Sequence, residues 1–493
     1  MKPLSRRGAL QLGGLGIASS AVGGFGLLLG DRSGSSFRTA SGASLQEPAV
    51  LQSAGGRLRV TLEARKGPVR IGGRDATALS YNGGLPGPTL HLQPGDRLQI
   101  RLINGLTDPT NLHVHGLHVS PDGHGDNVLV AVQPGASWDY DYQLPSDHPP
   151  GVYWYHPHHH GMVAEQVFGG LYGAIIVGDP PAVSRSVAST RERVLVISDT
   201  SLDSTGRVRS VSQMARMQGR EGDLVLLNGQ TQPVLEARPG ERERWRIVNA
   251  CAARYVRLRV DGQQLDLLGI DSGRYATPAR IEQLVLAPGN RADLLVTLRQ
   301  GSSELRLLGY DRGSVGMGGR IGGTGAAASL ASLRVTGSAA QAPGPLPAQE
   351  ALRDLRQVAA LDRRRTLTMG MGMGMGGGMG GGMGGGMGFT IDGQVFDATR
   401  VDQQVRAGAV EEWEIRNTSS MEHPFHLHVW PMQLIESGGV PVDVVSRQDV
   451  VNVPARSSVK VRIAFEAFTG RTVYHCHILD HEDLGMMGVI EVR

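Results

Sequence analysis

The sequence predicts an all-β protein made of three β-sandwich domains. Short runs alternate apolar and polar residues, for example residues 97–102 and 459–463, which is typical of strands with one buried face. Glycine and proline number 70 and 26 among 493 residues, and long stretches with helical periodicity are few. A pattern of turns followed by a strand also occurs three times. Together these features favour sandwiches with Greek-key connections.

The threefold pattern defines the domains. Each copy begins with Asn-Gly or Asp-Gly, reaches a second turn glycine, and ends in an asparagine nine residues after that glycine. The three terminal asparagines are Asn104, Asn249 and Asn417. A repeat at roughly 150 residues indicates duplicated domains rather than a solenoid. We place the domains at residues 47–181, 190–337 and 355–493, with a proline-rich linker at 342–347.

Residues 1–46 have the features of a targeting segment and leader. Arg6 and Arg7 form a twin-arginine pattern, and the 22 residues from 9 to 30 carry no charge and are only mildly hydrophobic. That profile favours export by the twin-arginine route over a membrane-spanning helix. We therefore expect a protein of the periplasm, the cell surface or the extracellular space, without stable membrane insertion. A weak membrane anchor is the alternative.

Composition excludes some partners. The formal net charge is +3 and no segment concentrates lysine and arginine, so nothing indicates a nucleic-acid partner. The two cysteines are Cys251 and Cys476. Cys251 ends an apolar run, residues 245–251, and is expected to be a buried free thiol. The oligomeric state is left open, with a monomer favoured.

The 16 histidines are unevenly distributed. Ten lie between His91 and His160, six lie between His423 and His481, and none lies in residues 161–422. In a strand, an i, i+2 pair places both imidazoles on one face, where they can bind one metal. An isolated pair is more often a polar strand face, but four clusters in one chain indicate metal centres. The clusters comprise His113, His115, His156, His158, His423, His426, His428, His475, Cys476, His477 and His481.

Cys476 stands between two histidines. Because neighbouring side chains of a strand point to opposite faces, Cys476 is expected to bind one metal while His475 and His477 bind others. Cysteine, histidine and methionine together are the ligands of a blue-copper site. The sequence therefore predicts two metal centres separated by one residue step, which is a short covalent route for electrons.

These clusters resemble the copper motifs of the multicopper oxidases, the family of laccases and cuprous oxidases. The resemblance covers residues 51–493 and implies three cupredoxin-type domains that hold four copper ions. It assigns a blue copper to His423, Cys476 and His481, with Met486 as axial ligand. It assigns a mononuclear copper to His113 and His426, and a copper pair to His115, His156, His158, His428, His475 and His477. All ten cluster histidines are present, whereas copper-free relatives have lost theirs.

The resemblance also implies where the three-copper cluster and the proton donors lie. The three-copper cluster is expected between the first and third domains, with the middle domain as a spacer. His118, His124, His148, His159 and His160 fall outside the pattern. Glu482 matches an acid that delivers protons in bacterial relatives, and Asp126 is a second candidate for that role. The alternative is that each acid merely orients a ligand or faces solvent.

Seven methionines, spaced by one or three glycines, occupy residues 369–387. Thioethers favour Cu(I), and glycine gives such a segment flexibility. Copper-efflux oxidases carry a methionine-rich insert at this point, so the resemblance implies that the insert at 369–388 is a flexible Cu(I)-gathering lid. A low-complexity loop is the alternative, and Ser419 stands where those enzymes have an acid. The candidate substrate-copper ligands are Met369, Met371, Met373, Met375 and Met421.

The sequence thus favours an exported oxidase that couples oxidation of Cu(I), and of phenols or aromatic amines, to reduction of dioxygen to water. Dioxygen and a small reductant would be its partners. A laccase with a purely organic donor is one alternative. A non-catalytic copper-binding protein and a non-catalytic cell-division relative are others, and the intact histidine set argues against both.

Overall fold

A computed structural model describes residues 41–179, 190–314, 327–341, 344, 351–373 and 387–493. Within these residues the chain is nearly all β, and its strands form six sheets, two for each third of the chain. The predicted fold of three cupredoxin-type β-sandwiches is therefore confirmed. The proposed targeting motif and most of the methionine tract lie outside the described residues. No described helix is long and apolar enough to cross a membrane.

The first sandwich packs a five-stranded sheet, in the order β1-β4-β9-β8-β6, with a four-stranded sheet, β3-β2-β5-β7. Its strands are β1 Val50–Gln52, β2 Arg57–Ile71, β3 Arg74–Tyr81, β4 Thr89–Leu92, β5 Arg97–Gly105, β6 His113–His115, β7 Ser137–Gln143, β8 Gly151–His156 and β9 Gly173–Val177. Helix α1, Val163–Gly169, lies between β8 and β9 in sequence.

The second sandwich has the sheet orders β11-β10-β13-β18-β15-β16 and β12-β20-β19-β14-β17. Its strands are β10 Arg191–Thr200, β11 Leu224–Leu227, β12 Val234–Ala237, β13 Arg242–Asn249, β14 Val256–Val260, β15 Gln264–Ile270, β16 Ala279–Ile281, β17 Leu284–Leu286, β18 Arg291–Thr297, β19 Gly301–Leu308 and β20 Ala328–Val335. Helix α2, Gln213–Gln218, precedes β11, and Ser212 caps it by accepting from the Ala215 N–H.

The third sandwich has the sheet orders β22-β21-β24-β29-β26-β27 and β23-β31-β30-β25-β28. Its strands are β21 Arg363–Met373, β22 Met387–Ile391, β23 Gln403–Val405, β24 Val410–Asn417, β25 His423–Leu427, β26 Met432–Ser437, β27 Val440–Pro441, β28 Val450–Val453, β29 Ser458–Ala464, β30 Gly470–Cys476 and β31 Met487–Val492. A 3₁₀ turn spans Leu355–Gln357, and helix α3 spans Leu479–Asp483.

The repeated asparagines explain why the sequence pattern recurs. Each is buried at the end of a central strand and makes the same bonds in its own domain. The side chain of Asn104 accepts from the Leu106 N–H and donates to the carbonyls of Asp108 and Val132. Asn249 and Asn417 accept from the residue two positions on and donate to the equivalent two carbonyls. The asparagine thus satisfies backbone groups where each strand leaves the sheet.

The repeated turns also share one geometry. Asn82, Asn228 and Asp392 have φ values of 54°, 51° and 53°, and the glycine after each is also left-handed. Two successive positive φ angles define the type I′ turn, which suits Asn-Gly and Asp-Gly pairs. The sequence signal at these positions therefore reflects backbone conformation.

The structure adds detail at two predicted boundaries. Leu45 donates its N–H to the Val234 carbonyl, so contacts with the middle sandwich begin before residue 47, and the extent of the leader stays a prediction. At the methionine tract, β21 and β22 pair antiparallel with Met369 opposite Ile391 and Met371 opposite Phe389. The expected flexible lid is therefore wrong for residues 369–373, which are strand. Met369 is fully buried there, so core packing outweighs the flexibility of its glycine neighbours.

Candidate metal centres

Cys476, His423 and His481 converge on one point in the third sandwich. The Cys476 sulfur lies 3.4 Å from His423 Nδ1 and 3.8 Å from His481 Nδ1, and the two nitrogens are 3.3 Å apart. Three atoms with these separations are equidistant from a point about 2.0 Å from each, close to the length of a metal–nitrogen bond. All three residues are fully buried. This group is called the sulfur site below.

The second nitrogen of each imidazole at the sulfur site has a partner. His423 Nε2–H donates to the Ser419 hydroxyl at 2.8 Å, and that hydroxyl lies within bonding distance of the Asn417 side chain and the Met421 carbonyl. His481 Nε2–H donates to the carbonyl of Met217 at 3.1 Å. These bonds fix the tautomer that leaves both Nδ1 lone pairs free for a metal.

The surroundings of the sulfur site are apolar. Met486 belongs to the same fully buried core cluster as Cys476, together with Phe389 and Met421. The ring of Phe389 stacks on His481 with centroids 3.9 Å apart. Burial raises the pKa of the Cys476 thiol far above its usual range, and a bound cation would offset that cost by stabilising the thiolate.

Eight further histidines form a second group, called the histidine cluster below. Half come from the first third of the chain and half from the last, and all are buried. They are His113, His115, His156, His158, His426, His428, His475 and His477. The predicted meeting of the two ends of the chain is therefore present in the structure.

The nitrogens of the cluster approach one another in overlapping groups. His475 Nε2 lies 3.0 Å from His158 Nε2 and 3.2 Å from His428 Nε2. His156 Nε2 lies 3.5 Å from His115 Nδ1, and the His477 ring centroid lies 4.9 Å from that of His115.

The two ends of the chain also meet at His113 and His426, whose Nε2 atoms lie 3.5 Å apart. The groups of nitrogens that could share a metal overlap, since His113 lies near both His115 and His426. The division into a mononuclear copper and a copper pair that the resemblance implied therefore remains a prediction.

Burial also sets the protonation state of the cluster. Desolvation lowers the pKa of each of its imidazoles, to about 4 for His158 and His475 and well below the usual value for the other six. The rings are therefore neutral at physiological pH, which is the form that binds metal. Among the described residues, neither nitrogen of His477 has a hydrogen-bond partner. Buried neutral nitrogens facing one another fit a group of soft or borderline cations such as copper.

Carboxylates and carbonyls orient the cluster from outside. His113 Nδ1–H donates to Asp126 at 2.8 Å, which leaves Nε2 free to face His426. His426 Nδ1–H donates to the Asp449 carbonyl at 2.8 Å, and His115 Nε2–H donates to the Asp449 carboxylate at 2.8 Å. His115 therefore presents Nδ1 to the cluster. Burial raises the pKa of Asp126 to about 7.

The middle third also supports the cluster. Arg291 is fully buried, and both of its terminal nitrogens lie 2.6 Å from the Asp449 carboxylate. Its Nε–H donates to the Val152 carbonyl of the first sandwich, and it also pairs with Asp271 at 3.2 Å. The expectation that the middle domain is only a spacer is therefore wrong. No local motif marks Arg291 or Asp449, because they are separated by 158 residues and meet only in the fold.

Strand β30 connects the two groups. Phe425 pairs with Cys476, and His426 pairs with His475, across β25 and β30. The Cys476 sulfur therefore faces the sulfur site while the His475 ring faces the histidine cluster, as the alternation predicted. One peptide unit on each side of Cys476 is the whole covalent distance between the groups.

Three multicopper oxidase family models match residues 63–182, 191–304 and 375–493. The chain belongs to the multicopper oxidase family. It resembles the solved multicopper oxidase from Campylobacter jejuni, a metallo-oxidase, at 30% identity and a TM-score of 0.79, covering 92% of this chain and 96% of that one. Membership of the family implies copper as the cofactor, and the donor set described above fits it.

Two further relatives have names that indicate different functions, an oxidase and a cell division protein. Multicopper oxidase mco of Staphylococcus haemolyticus is 28% identical over 88% of each chain. Cell division protein FtsP of Proteus mirabilis is 27% identical over 99% of this chain and 98% of that one. Relatives at this level of identity carry different functions, so similarity alone does not define the activity of this chain.

Glu482 lies beside two histidines of the cluster in this multicopper oxidase. One of its carboxylate oxygens is 3.0 Å from His475 Nδ1, and the other is 3.5 Å from His158 Nε2. Neither oxygen forms a well-directed hydrogen bond among the described residues, although the side chain is fully buried. Burial raises its pKa to about 7. His475 Nδ1–H has another acceptor, the Cys476 carbonyl at 3.0 Å, so Glu482 is not needed to hold that ring.

The candidate substrate-copper methionines lie in different environments. Met369 and Met421 are fully buried in the core cluster beside Cys476, and Met371 packs against that cluster while half-buried. Met373 pairs through its backbone with Met387, and Met375 lies outside the described residues. Their role as ligands remains a prediction.

The histidines outside the family pattern have other partners. His118 Nδ1–H donates to the Val429 carbonyl, and the buried His148 accepts from the His118 N–H. His124 stacks on Trp138, and the exposed His160 contacts the ring of Phe396. His159 is partly exposed.

Proposed function

We propose that this multicopper oxidase oxidises a small reductant one electron at a time at the sulfur site and reduces dioxygen to water at the histidine cluster. Four copper ions would supply the redox chemistry, one at the sulfur site and three at the cluster. The observation that carries the proposal is the position of Cys476, whose sulfur belongs to one group while the histidines on both sides belong to the other. That arrangement favours electron transfer from one centre to the other.

The residues of the chain would perform three tasks. Ser419, Asp126 and Asp449 hold the ligand imidazoles in single tautomers, so that the lone pairs face the metal sites before any metal binds. The complete burial of the histidine cluster excludes competing ligands from solvent. Glu482 and Asp126, both buried beside cluster histidines, are the candidates to hold the protons that water formation consumes.

Cysteine substitutions test this proposal. The copper-loaded protein should be blue, contain four coppers per chain and take up oxygen with Cu(I) or a phenol as donor. Cys476→Ser should abolish the blue absorbance and the oxygen uptake. Cys251→Ser is the matched control, because Cys251 is a second fully buried free thiol and lies in the middle sandwich. A blue, active Cys476→Ser protein would contradict the proposal.

The donor is proposed to include Cu(I), on the basis of the methionine tract. The solved Campylobacter jejuni relative is itself described as a metallo-oxidase. A deletion of residues 374–386, closed by Asn-Gly, would retain β21 and β22 because Met373 and Met387 already pair. Oxidation of Cu(I) should then fall much more than oxidation of a phenol. Equal losses would favour a laccase with an organic donor.

Export by the twin-arginine route remains part of the proposal. Arg6, Arg7 and the uncharged segment after them support it. Replacing both arginines by lysine should retain the protein in the cytoplasm, which fractionation of the expressing cells would detect. Unchanged secretion would contradict export by the twin-arginine route and would not affect the proposed oxidase activity.

A further inference from the structure

A cavity of ≈ 610 Å³ opens between the first and middle sandwiches, beside helix α2. This volume lies within the range of about 300–1,000 Å³ that is usual for small-molecule sites. Its apolar wall includes Leu79, Phe168 and Val208. No cluster histidine lines it, so it is separate from the site of dioxygen reduction.

The cavity is rich in positive charge. Its lining has five basic side chains and two acidic ones, Glu165 and Asp203. The basic residues are Lys66, Arg207, Arg209, Arg216 and Arg220. Lys66 and Arg207 are exposed, and neither side chain forms an ion pair within the described part of the chain. An anion entering the cavity therefore meets two cations that form no salt bridge among the described residues, and the basic side chains of the lining outnumber the acidic ones.

The same wall has an apolar face. Leu79 and Val208 are half-buried and line the space, and behind them Arg220 lies over the buried Phe168 ring, 5.7 Å from its centroid. An apolar face takes the ring of a flat ligand, while lysine and arginine attract its negative groups. The combination fits a flat anion better than a simple inorganic one.

One wall of this cavity is also the cover of the sulfur site. Arg216 lines the cavity, and the carbonyl of the next residue, Met217, accepts from His481 Nε2–H at 3.1 Å. Arg220 also lines the cavity, and its guanidinium pairs with Asp480, the neighbour of His481, at 2.7 Å. The cavity is thus joined to a sulfur-site imidazole by one backbone segment, residues 216–220.

His481 itself is closed to direct contact. It is fully buried, its outer nitrogen is occupied by Met217, and Phe389 covers its ring. An organic donor must therefore deliver its electron through a covering residue rather than to the imidazole edge. Arg216 lines the cavity and is bonded to Met217, so the Met217 peptide is the covering group that connects the cavity to His481.

We propose that this cavity binds small aromatic anions, such as aromatic sulfonates, carboxylates and phenolates, as electron donors, and that the electron reaches His481 through the Met217 peptide. The inference rests on the proposed oxidase function. The donor loses one electron to the sulfur site; a phenol also releases its proton to solvent, because the cavity is open. Lys66 and Arg207 are specificity-determining residues that select the charge of the donor.

Binding tests the site without any turnover. We expect naphthalene-1-sulfonate, measured by calorimetry on copper-loaded and copper-free full-length protein, to bind with a 1:1 stoichiometry and to weaken as salt increases. The double variant K66E/R207E should weaken binding about tenfold or more. R299E, which reverses an exposed arginine outside this cavity, is the matched control and should bind as the unmodified protein does. Equal binding by K66E/R207E, or equal competition by inorganic sulfate, would overturn the proposal.

Kinetic measurements test whether a donor bound in the cavity supplies electrons to the sulfur site. K66E/R207E should raise KM for a sulfonated aromatic donor about tenfold while leaving kcat unchanged, and should leave Cu(I) oxidation unchanged. Ser210→Trp, which fills the cavity from its exposed rim, should raise the same KM without a change of charge. Unchanged KM in both variants overturns the inference alone. Absence of oxygen uptake by the unmodified protein with every donor would instead overturn the proposed function.

Discussion

Arg291 and Asp449 form a buried bidentate ion pair that connects the middle sandwich to the histidine cluster. Both nitrogen–oxygen distances are 2.6 Å, and the same carboxylate accepts from His115 Nε2–H. The pair therefore fixes which nitrogen His115 presents to the cluster. A sandwich without any candidate ligand thus helps to define the metal site.

Removal of Arg291 should cost both stability and copper. Arg291→Met leaves Asp449 as an uncompensated buried charge, which we expect to destabilise the fold by about 3–5 kcal/mol. The copper content of the cluster should fall because Asp449, the acceptor that orients His115, is no longer held in place by Arg291. Thermal unfolding and metal analysis measure the two effects.

Arg193→Met is the matched control for this experiment. Arg193 forms an equally buried bidentate pair with Glu243 in the same sandwich, at 2.7 and 2.8 Å, but its partners include no cluster histidine. It should lower stability and keep full copper. Full copper in Arg291→Met would show that the ion pair has no part in holding the cluster.

Glu482→Gln should separate proton supply from metal binding. The substitution keeps the shape of the side chain and removes its ionisable group. His475 retains the Cys476 carbonyl as acceptor, so copper content and blue absorbance should persist. Oxygen reduction should slow by about 100-fold, a usual contribution of a positioned proton donor.

Glu422→Gln is its control, because Glu422 neighbours His423 in sequence but bonds Tyr310 and Asn452 instead. Oxygen uptake and copper content are measured on both variants. Unimpaired oxygen reduction in Glu482→Gln would assign the proton supply elsewhere.

Asp126→Ala should act on metal binding first. Asp126 is the acceptor that orients His113, so its loss frees the ring and we expect copper affinity at that position to drop about 10–100-fold. Spectroscopy of the mononuclear copper and metal titration measure this loss. Asp122→Ala, an exposed aspartate four residues earlier, should bind copper normally. Retention of copper together with lost activity would instead favour a role for Asp126 in proton transfer.

Ser419→Ala should raise the reduction potential of the sulfur site. The Ser419 hydroxyl accepts from His423 Nε2–H, which increases the basicity of that imidazole and favours oxidised copper. Loss of a hydrogen bond worth about 1 kcal/mol corresponds to a rise of about 40 mV for one electron. Ser420→Ala is the control, since Ser420 donates to the Ser314 carbonyl instead. Redox titration of the blue band should give a higher midpoint only for Ser419→Ala.

Local patterns predicted the fold and the placement of the ligand clusters. The asparagine repeat, the Asn-Gly turns and the i, i+2 histidine pairs each depend on residues close in sequence, so their geometry follows from strand and turn chemistry. The side chains that cover and orient the sites were not predicted. Arg291 meets Asp449, and Met217 meets His481, across 158 and 264 residues, and no spacing rule connects them.

At the methionine tract, the sequence predicted a flexible segment where the structure has a strand. The tract's glycine content predicted flexibility from Met369 onward, but alternate side chains of β21 enter the core and β22 supplies the facing strand. Tertiary packing produces a strand in a segment whose composition indicated no regular structure. Phe389 covers His481 of the sulfur site from β22, a contact for which composition contains no signal.

Copper removal should make stability depend on pH in a defined direction. Burial lowers the pKa of all ten histidines of the sulfur site and the histidine cluster in the folded state, to about 4 for His158 and His475 and about 3 for His423. In the unfolded chain they titrate near 6.5, so as pH falls below that value the unfolded chain binds protons first. Copper-free protein should therefore have its full stability above pH 6.5 and lose it progressively toward pH 4, by up to about 1.4 kcal/mol per pH unit for each histidine.

Copper-loaded protein should be more stable than copper-free protein at each pH, because the metal binds the neutral lone pairs of the folded state and links the first and last sandwiches. Denaturant unfolding at pH 7, 6 and 5, with and without copper, measures the difference. The gap in stability between the two forms should stay constant or narrow as pH falls from 6.5, because the folded imidazoles are neutral with or without copper, whereas copper binding displaces the Cys476 proton. A copper-free protein equally stable at pH 7 and pH 5 would show that the imidazoles are solvated and not held neutral in the cluster.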